Sequence, residues 1–468
     1  MKLISICVVL MFVFCGAGIA QDIPQEFLPT DLQNPFLGTS VSEKPADSEI
    51  GLSLSEAIDR GLKYNLGLYL SGQQSQVAQG VRLKALSDLL PNLSAGVTES
   101  VEQINIAAFG FPPSPIIPSI IGPFTVFDVR VSLDQAVLDL HAIYKYRSED
   151  NNVKAQEFRS KDARDLVVLV TANLYLLTAA SISRVDAAQS QLATAEAFYN
   201  KAKDMKQAGM VAGIDVLRSQ VEMESRRQHL IRARNDTEKD KLALARAIGL
   251  PSGQKFQLTD PIQNTPFPPI TLDQALEKAF STRADYMATQ AQVRANEFAY
   301  KAAKSKYYPS LGLHADYGDL GSRPNTSHGT FSVIAGLHIP IFDGGETHGE
   351  TVEENAKLQQ IKAKLEDLHA QIEQQVRTAF LDLTSSSEQV DVAERALDLA
   401  KQQVEQAQDR FAAGLESNLE VVQAQDALAI ANENYISGLF AENMAKALLA
   451  RATGGAEATA KAVLGGKP

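Results

Sequence analysis

Tryptophan is absent from the 468-residue chain, and its two cysteines, Cys7 and Cys15, both lie near the start. Lys2, an apolar run over residues 3–14 and Gly18-Ile19-Ala20 before Gln21 have the layout of a secretory signal peptide cleaved after Ala20. The run is too short to span a bilayer as a helix. Residues 1–20 are therefore expected to be removed. The exported chain then has no disulfide, and its stability must come from packing or assembly. Bulky Phe14 argues against lipidation of Cys15, since a small residue is expected at that place. No later segment reads as the long apolar run of a transmembrane helix, so a membrane-embedded form has to use strands. Basic residues are too few for a nucleic-acid partner: 44 against 56 acidic ones leave a formal charge of −12. The seven histidines are scattered. There is no HExxH, no GxSxG and no phosphate loop, so the sequence supports neither an enzyme nor a cofactor.

Proline and glycine are missing from residues 353–413, which read as one helix about 90 Å long. Within it Val376, Ala379, Leu383, Ser386, Val390, Ala393, Leu397, Ala400, Val404, Ala407 and Phe411 alternate steps of three and four, a sustained heptad seam. Val185, Ala188, Leu192, Ala195, Tyr199 and Ala202 form a second seam. The recurring alanines allow close approach but bury little area each. Such helices are better stabilised in a ring, with two neighbours each, than as a lone pair.

The chain repeats itself. Ser53-Leu54-Ser55-Glu56 and Thr271-Leu272-Asp273-Gln274 are both capping boxes, in which residues one and four satisfy each other's backbone donors. The same shift of 218 carries Pro91-Asn92-Leu93 onto Pro309-Ser310-Leu311. Farther on, Ala208-Gly209-Met210 matches Ala413-Gly414-Leu415, and Ala245-Arg246-Ala247-Ile248-Gly249 matches Ala450-Arg451-Ala452-Thr453-Gly454. The expected organisation is an extended, proline-bearing linker over 21–51, a first unit over 52–250 and a connector over 251–270. A second unit over 271–454 and a flexible tail over 455–468 follow. Each unit reads helix, two strands, long helix, shorter helix, with the first helix running to about Leu90.

Period-two alternation marks the strands. Leu93, Ala95, Val97 and Val101 form one face, as do Phe127, Val129, Val131 and Leu133. In the second unit Leu311, Leu313, Ala315 and Tyr317 are followed by Phe331, Val333, Ala335, Leu337, Ile339 and Ile341. The polar face, with Asp128, Arg130 and Asp134, suits a watery lumen and bulk solvent equally. Two hairpins on a soluble core therefore remain an alternative, in a periplasmic coiled-coil scaffold without a channel. In lipid, four strands would leave open edges at a cost of several kcal/mol per unpaired group. They are also too few to close a barrel. Several chains must then share one barrel: two would give eight strands, whose interior is filled by side chains, while three would give twelve and an open lumen.

With these features the chain resembles the TolC-like outer membrane efflux protein family, from about residue 52 to 454. The marks are residues 54–57 with their repeat at 272–275, Pro340-Ile341-Phe342-Asp343-Gly344-Gly345 after the last strand, and Phe411-Ala412-Ala413-Gly414-Leu415. The first unit departs in having Ala136-Val137-Leu138-Asp139 without the glycines. The resemblance implies an α+β membrane protein: a homotrimeric twelve-stranded barrel in the outer membrane, continued by a twelve-helix tunnel across the periplasm. It also implies cargo passed from an inner-membrane transporter through a periplasmic adaptor, in efflux or type I secretion.

Six candidate residues follow. Gly209 and Gly414 end long helices as ordinary C-caps; by resemblance Gly209, Met210, Gly414 and Leu415 would also meet the adaptor. Asp215 and Glu420 stand six residues after those glycines. They suit a carboxylate ring at the tunnel mouth, although helix-start acids, and the capping box Ser417-Asn418-Leu419-Glu420, need no such role. Asp343, Glu346, His348 and Glu350 fit no metal-ligand spacing. Phe109, Phe111 and Pro112, Pro113, Pro115, Pro118 and Pro123 read as the outer-surface loop. Tyr307 and Tyr308 are expected at the inner membrane–water boundary.

Overall fold

Each half of the molecule begins with a capped helix that ends abruptly. In a computed structural model describing residues 34–40, 48–110, 118–251, 253–262, 267–415 and 417–457, helix α1 covers Leu54–Tyr64 and α2 covers Leu66–Ser87. The signal segment with both cysteines, Phe111, Pro112, Pro113 and Pro115, and the tail from residue 458 lie outside the described residues. The capping box forms: Glu56 N donates to Ser53 Oγ at 3.2 Å and Ser53 N to Glu56 Oε2 at 2.8 Å. These bonds hold the Glu56 carboxyl below its ordinary range.

The single helix expected up to about Leu90 is interrupted at Asn65, whose backbone is extended. Its Oδ1 accepts from Gly67 N at 2.9 Å, and its Nδ2 donates to Phe36 O at 2.6 Å. One asparagine thus starts α2 and ties it to the segment before α1. The second half repeats the break at Arg283, between α5 (Leu272–Thr282) and α6 (Ala284–Ser305). Arg283 Nη1 there donates to Gln375 at 2.8 Å.

Strands β2 (Asn92–Asn105) and β3 (Ile120–Leu138) follow α2; β5 (Ser310–Gly321) and β6 (His328–His338) follow α6. They make one antiparallel sheet in the order β2-β3-β5-β6. The last strand is shorter than its apolar pattern, since Ile339 and Ile341 lie beyond it. Pro340 between them has no N–H to continue a ladder. Two short strands outside this sheet, β1 (Ile50–Leu52) and β4 (Phe256–Leu258), pair in parallel, so the stretches read as linker and connector also contribute structure.

The long helices are α3 (Leu140–Gln207) and α7 (Glu346–Ala412), each about 100 Å long at 1.5 Å per residue. The shorter ones are α4 (Gly213–Ala247) and α8 (Asn418–Ala452). Near the sheet, packing runs α2–α3–α6–α7; towards the far end it runs α4–α3–α8–α7. The seam of α7 is buried against α8 at Val376, Val390, Leu397, Val404 and Phe411, with Gly438 meeting Val390. Phe198 and Met205 of α3 join Phe411 and Val421 in a core close to the far end.

A larger core surrounds the β1–β4 pair, with Leu52, Ile58, Tyr175, Leu244 and Ile248. Tyr175 Oη donates to Leu52 O at 3.1 Å there. Contrary to the expectation of no long apolar helix, α3 does hold an 18-residue window apolar enough to cross a membrane. That window is 78% buried inside the fold, as befits a helix flanked on several sides.

Candidate functional site

At the far end both hairpins turn by the same device. Gly209 and Gly414 adopt left-handed backbones, φ +75° and +72°. Met210 N donates to Met205 O and Leu415 N to Arg410 O, each at 2.9 Å, which closes each helix in a Schellman-type cap. The side chains that follow project outward: Met210 is 66% and Leu415 73% exposed. Ile214, Leu217 and Leu419 are exposed beside them, so the tips carry an apolar surface.

Asp215 stands in the first turn of α4, with Arg218 3.7 Å away, and Glu420 in the first turn of α8. The two helix starts are joined directly. Buried Asn418 donates from Nδ2 to the Asp215 carbonyl at 2.6 Å. The capping box expected at Ser417 does not form: the Ser417 hydroxyl makes no cap bond, and its carbonyl accepts from Glu420 N at 3.3 Å. The tertiary link through Asn418 takes the place of the local one.

The sequence reading passed over Arg226, which is 7% exposed on α4 and donates to Glu222 and, across the hairpins, to Asp426 of α8. Its signal is its spacing. Ser219, Met223, Arg226 and Leu230 are all buried in steps of four, three and four, so a cation occupies a seam position.

At the other end the sheet has two unlike faces. Leu93, Leu133, Ala315 and Val333 form one cross-strand row, and Ala95, Val131, Tyr317 and Phe331 another on the same face. This face is bare: Phe331 is 78% exposed and Leu93 72%. The opposite face carries Ser94, Ser132, Asp316 and Ser332 in register. There Arg130 donates to Asp128 at 2.9 Å and to Asp316 at 3.0 Å, and His314 Nδ1 lies 2.7 Å from Asp134.

The acids considered for a metal have other partners. Asp343 accepts from Gly345 N at 3.0 Å and Thr347 N at 2.9 Å. Hydrogen bonds from Thr347 and then Gly345 hold its carboxyl down at about 2. Glu350 pairs with Lys306. Gly344 and Gly345 have φ of +68° and +94°, which fits the strand-to-helix turn. In the first half that turn needs no glycine, because Asp139 caps α3 directly, accepting from Ala142 N at 3.0 Å.

The model of the family described as outer membrane efflux protein matches residues 275–455. This chain belongs to the TolC-like outer membrane efflux protein family. It is therefore a protein of the outer membrane with a large periplasmic part. Among curated relatives, the alkaline protease secretion protein AprF of Pseudomonas aeruginosa is 23% identical over 312 residues, 64% of this chain and 63% of that one. The pyoverdine export outer membrane protein OpmQ of the same organism is 26% identical over 323 residues, 66% of each. The alignment thus spans a little under two thirds of these relatives' length. In fold, the chain is similar to the Campylobacter jejuni CmeC outer membrane channel, with a TM-score of 0.75, 19% identity and coverage of 90% of this chain and 92% of that one. The Vibrio cholerae outer membrane protein VceC gives 0.74, 17%, 86% and 96%.

Proposed function

We propose that three copies of this chain assemble into one outer-membrane channel. Four strands from each close a twelve-stranded barrel, and the helices continue it as a tunnel through the periplasm. The observation that carries this reading is the sheet: one face apolar and bare, the other polar, with β2 and β6 both at its edges. In hydrocarbon an open edge leaves backbone groups unpaired, and pairing β6 of one copy with β2 of the next removes it.

The channel conducts cargo delivered by an inner-membrane transporter through a periplasmic adaptor, in efflux or type I secretion. The names of the relatives, which include a protease secretion protein and a pyoverdine exporter, support both classes. The adaptor meets the hairpin tips at Gly209, Met210, Gly414 and Leu415. Replacing Met210 and Leu415 by aspartate should abolish cross-linking to the adaptor in cells while leaving the assembly's mass unchanged. Retained cross-linking would remove the tips from the contact. Asp215 and Glu420 line the tunnel's inner mouth.

Extraction and purification in detergent, followed by mass and single-channel measurement, tests the whole reading. A trimeric mass and discrete conductance steps are expected. A protein released from membranes by high salt alone, without conductance, would instead be the periplasmic scaffold.

A further inference from the structure

We infer that a second apolar surface, below the sheet where strands become helices, sits in the headgroup–acyl boundary of the membrane's periplasmic leaflet. This rests on the reading of the sheet as a lipid-embedded wall. The argument begins with height. On β5 the bare face carries Leu311, Leu313, Ala315 and Tyr317, and the next residue on that face is Asp319. From Leu311 to Tyr317 the strand advances about 20 Å at 3.4 Å per residue. At a tilt near 40° this gives only about 15 Å of vertical height, against the roughly 25 Å apolar band of outer-membrane barrels. On β2 the run is shorter still: Leu93, Ala95 and Val97 are followed on the same face by Glu99. Charges at Glu99 and Asp319 block extension outward, so the remaining apolar height must lie on the helical side.

The required residues are present there. Immediately before β2 stands Leu90, and immediately before β5 stand Tyr307 and Tyr308; all three are about half exposed. Beyond the end of β6, Ile341 is 94% and Phe342 89% exposed, the barest large apolar side chains among the described residues. Val137 and Leu138 occupy the matching place at the end of β3 and are also exposed. The surface therefore occurs in both halves of the chain and continues the bare face of the sheet. Tyrosine, with an apolar ring and a polar hydroxyl, suits the boundary between acyl chains and headgroups. Exposed Lys84 and Lys304 lie about one turn farther into the helices, within reach of lipid phosphates.

The absence of tryptophan makes the test direct. Single-tryptophan variants Y308W and I341W, with F331W at mid-face and M210W at the hairpin tip, are reconstituted as the assembled full-length protein. The vesicles are made of phosphatidylcholine with or without brominated acyl chains, and tryptophan is excited where tyrosine does not absorb. Y308W and I341W should lose emission to brominated lipid to the same extent as F331W, while M210W keeps its emission. If F331W is quenched but Y308W and I341W behave like M210W, the belt is overturned and the embedded sheet stands. If F331W is also unquenched, the embedded sheet falls, and the belt with it.

Discussion

Asn65 carries more of the architecture than its single position suggests. Its amide starts α2, donates to Phe36 O and lies 3.4 Å from the Ala247 carbonyl, so three separate segments meet on one side chain. Asn65→Ala removes a cap worth about 0.5–2 kcal/mol and leaves buried carbonyls without a donor, at about 1–3 kcal/mol. A clearly lowered thermal midpoint by circular dichroism is expected. Asn65→Asp, which keeps the capping oxygen and loses the donor, should fall between the two.

Asp165 of α3 acts in the opposite sense. Burial raises its carboxyl to about 6, with Arg451 nearby opposing the shift and Asp162, Glu457 and Asp285 adding to it. A folded-state value above the unfolded 3.8 means that the native state binds the extra proton between about pH 4 and 6. Stability from this group is therefore present at low pH and lost as pH rises through about 6. Asp165→Asn mimics the protonated form. It should be more stable than the native chain at pH 7, by no more than about 3 kcal/mol. The gap should close as pH falls towards 4, as read from melting midpoints across that range.

Among the elements, α2 and α6 start from the same repeated motif and end in different surroundings. Helix α6 packs between α3 and α7, burying Ala288 and Ala295. Residues 218 positions earlier, Leu70 and Val77 of α2, are about half exposed, because α2 has α3 on one side and no counterpart of α7 on the other. A second copy's α7 would fill that place. Leu70→Glu with Val77→Glu should therefore leave helicity by circular dichroism intact but shift the detergent-solubilised mass to the monomer. An unchanged trimeric mass would exclude this face from the contact.

Periodicity was a good guide here wherever packing followed it. The 376–411 seam is buried against α8 along most of its length, and the apolar strand positions share one face of the sheet. The breaks at Asn65 and Arg283 were not visible, because helical spacing continues across both and their causes, Phe36, Ala247 and Gln375, are distant in sequence. Ile339 and Ile341 kept the strand rhythm past Pro340, where the ladder cannot go. At the tips Ser417 and Glu420 matched a local motif, yet Asn418 satisfied the backbone of the other hairpin instead. In each case a contact between segments decided against the local pattern.

At the scale of the whole molecule, the polar face of the sheet and the far tips are two ends of one conduit, and the tips are where charge gathers most closely around its axis. Asn418 holds the starts of α4 and α8 together, so each copy presents Asp215 and Glu420 side by side. Threefold symmetry turns two acids per copy into six at the mouth. Arg218 lies near Asp215, which reduces that residue's share, so Glu420 is expected to dominate. Carboxylate rings favour cations, and the preference weakens as salt shortens the screening length from about 10 Å at 0.1 M to about 3 Å at 1 M. In a planar bilayer under a salt gradient, the native channel should therefore show a cation-selective reversal potential that shrinks at high salt. Asp215→Ala with Glu420→Ala should move that potential towards zero at low salt and change little at 1 M, with Glu420→Ala alone giving most of the shift. An unaltered low-salt reversal potential in the double variant would assign both acids to the helix starts they occupy and to no gate.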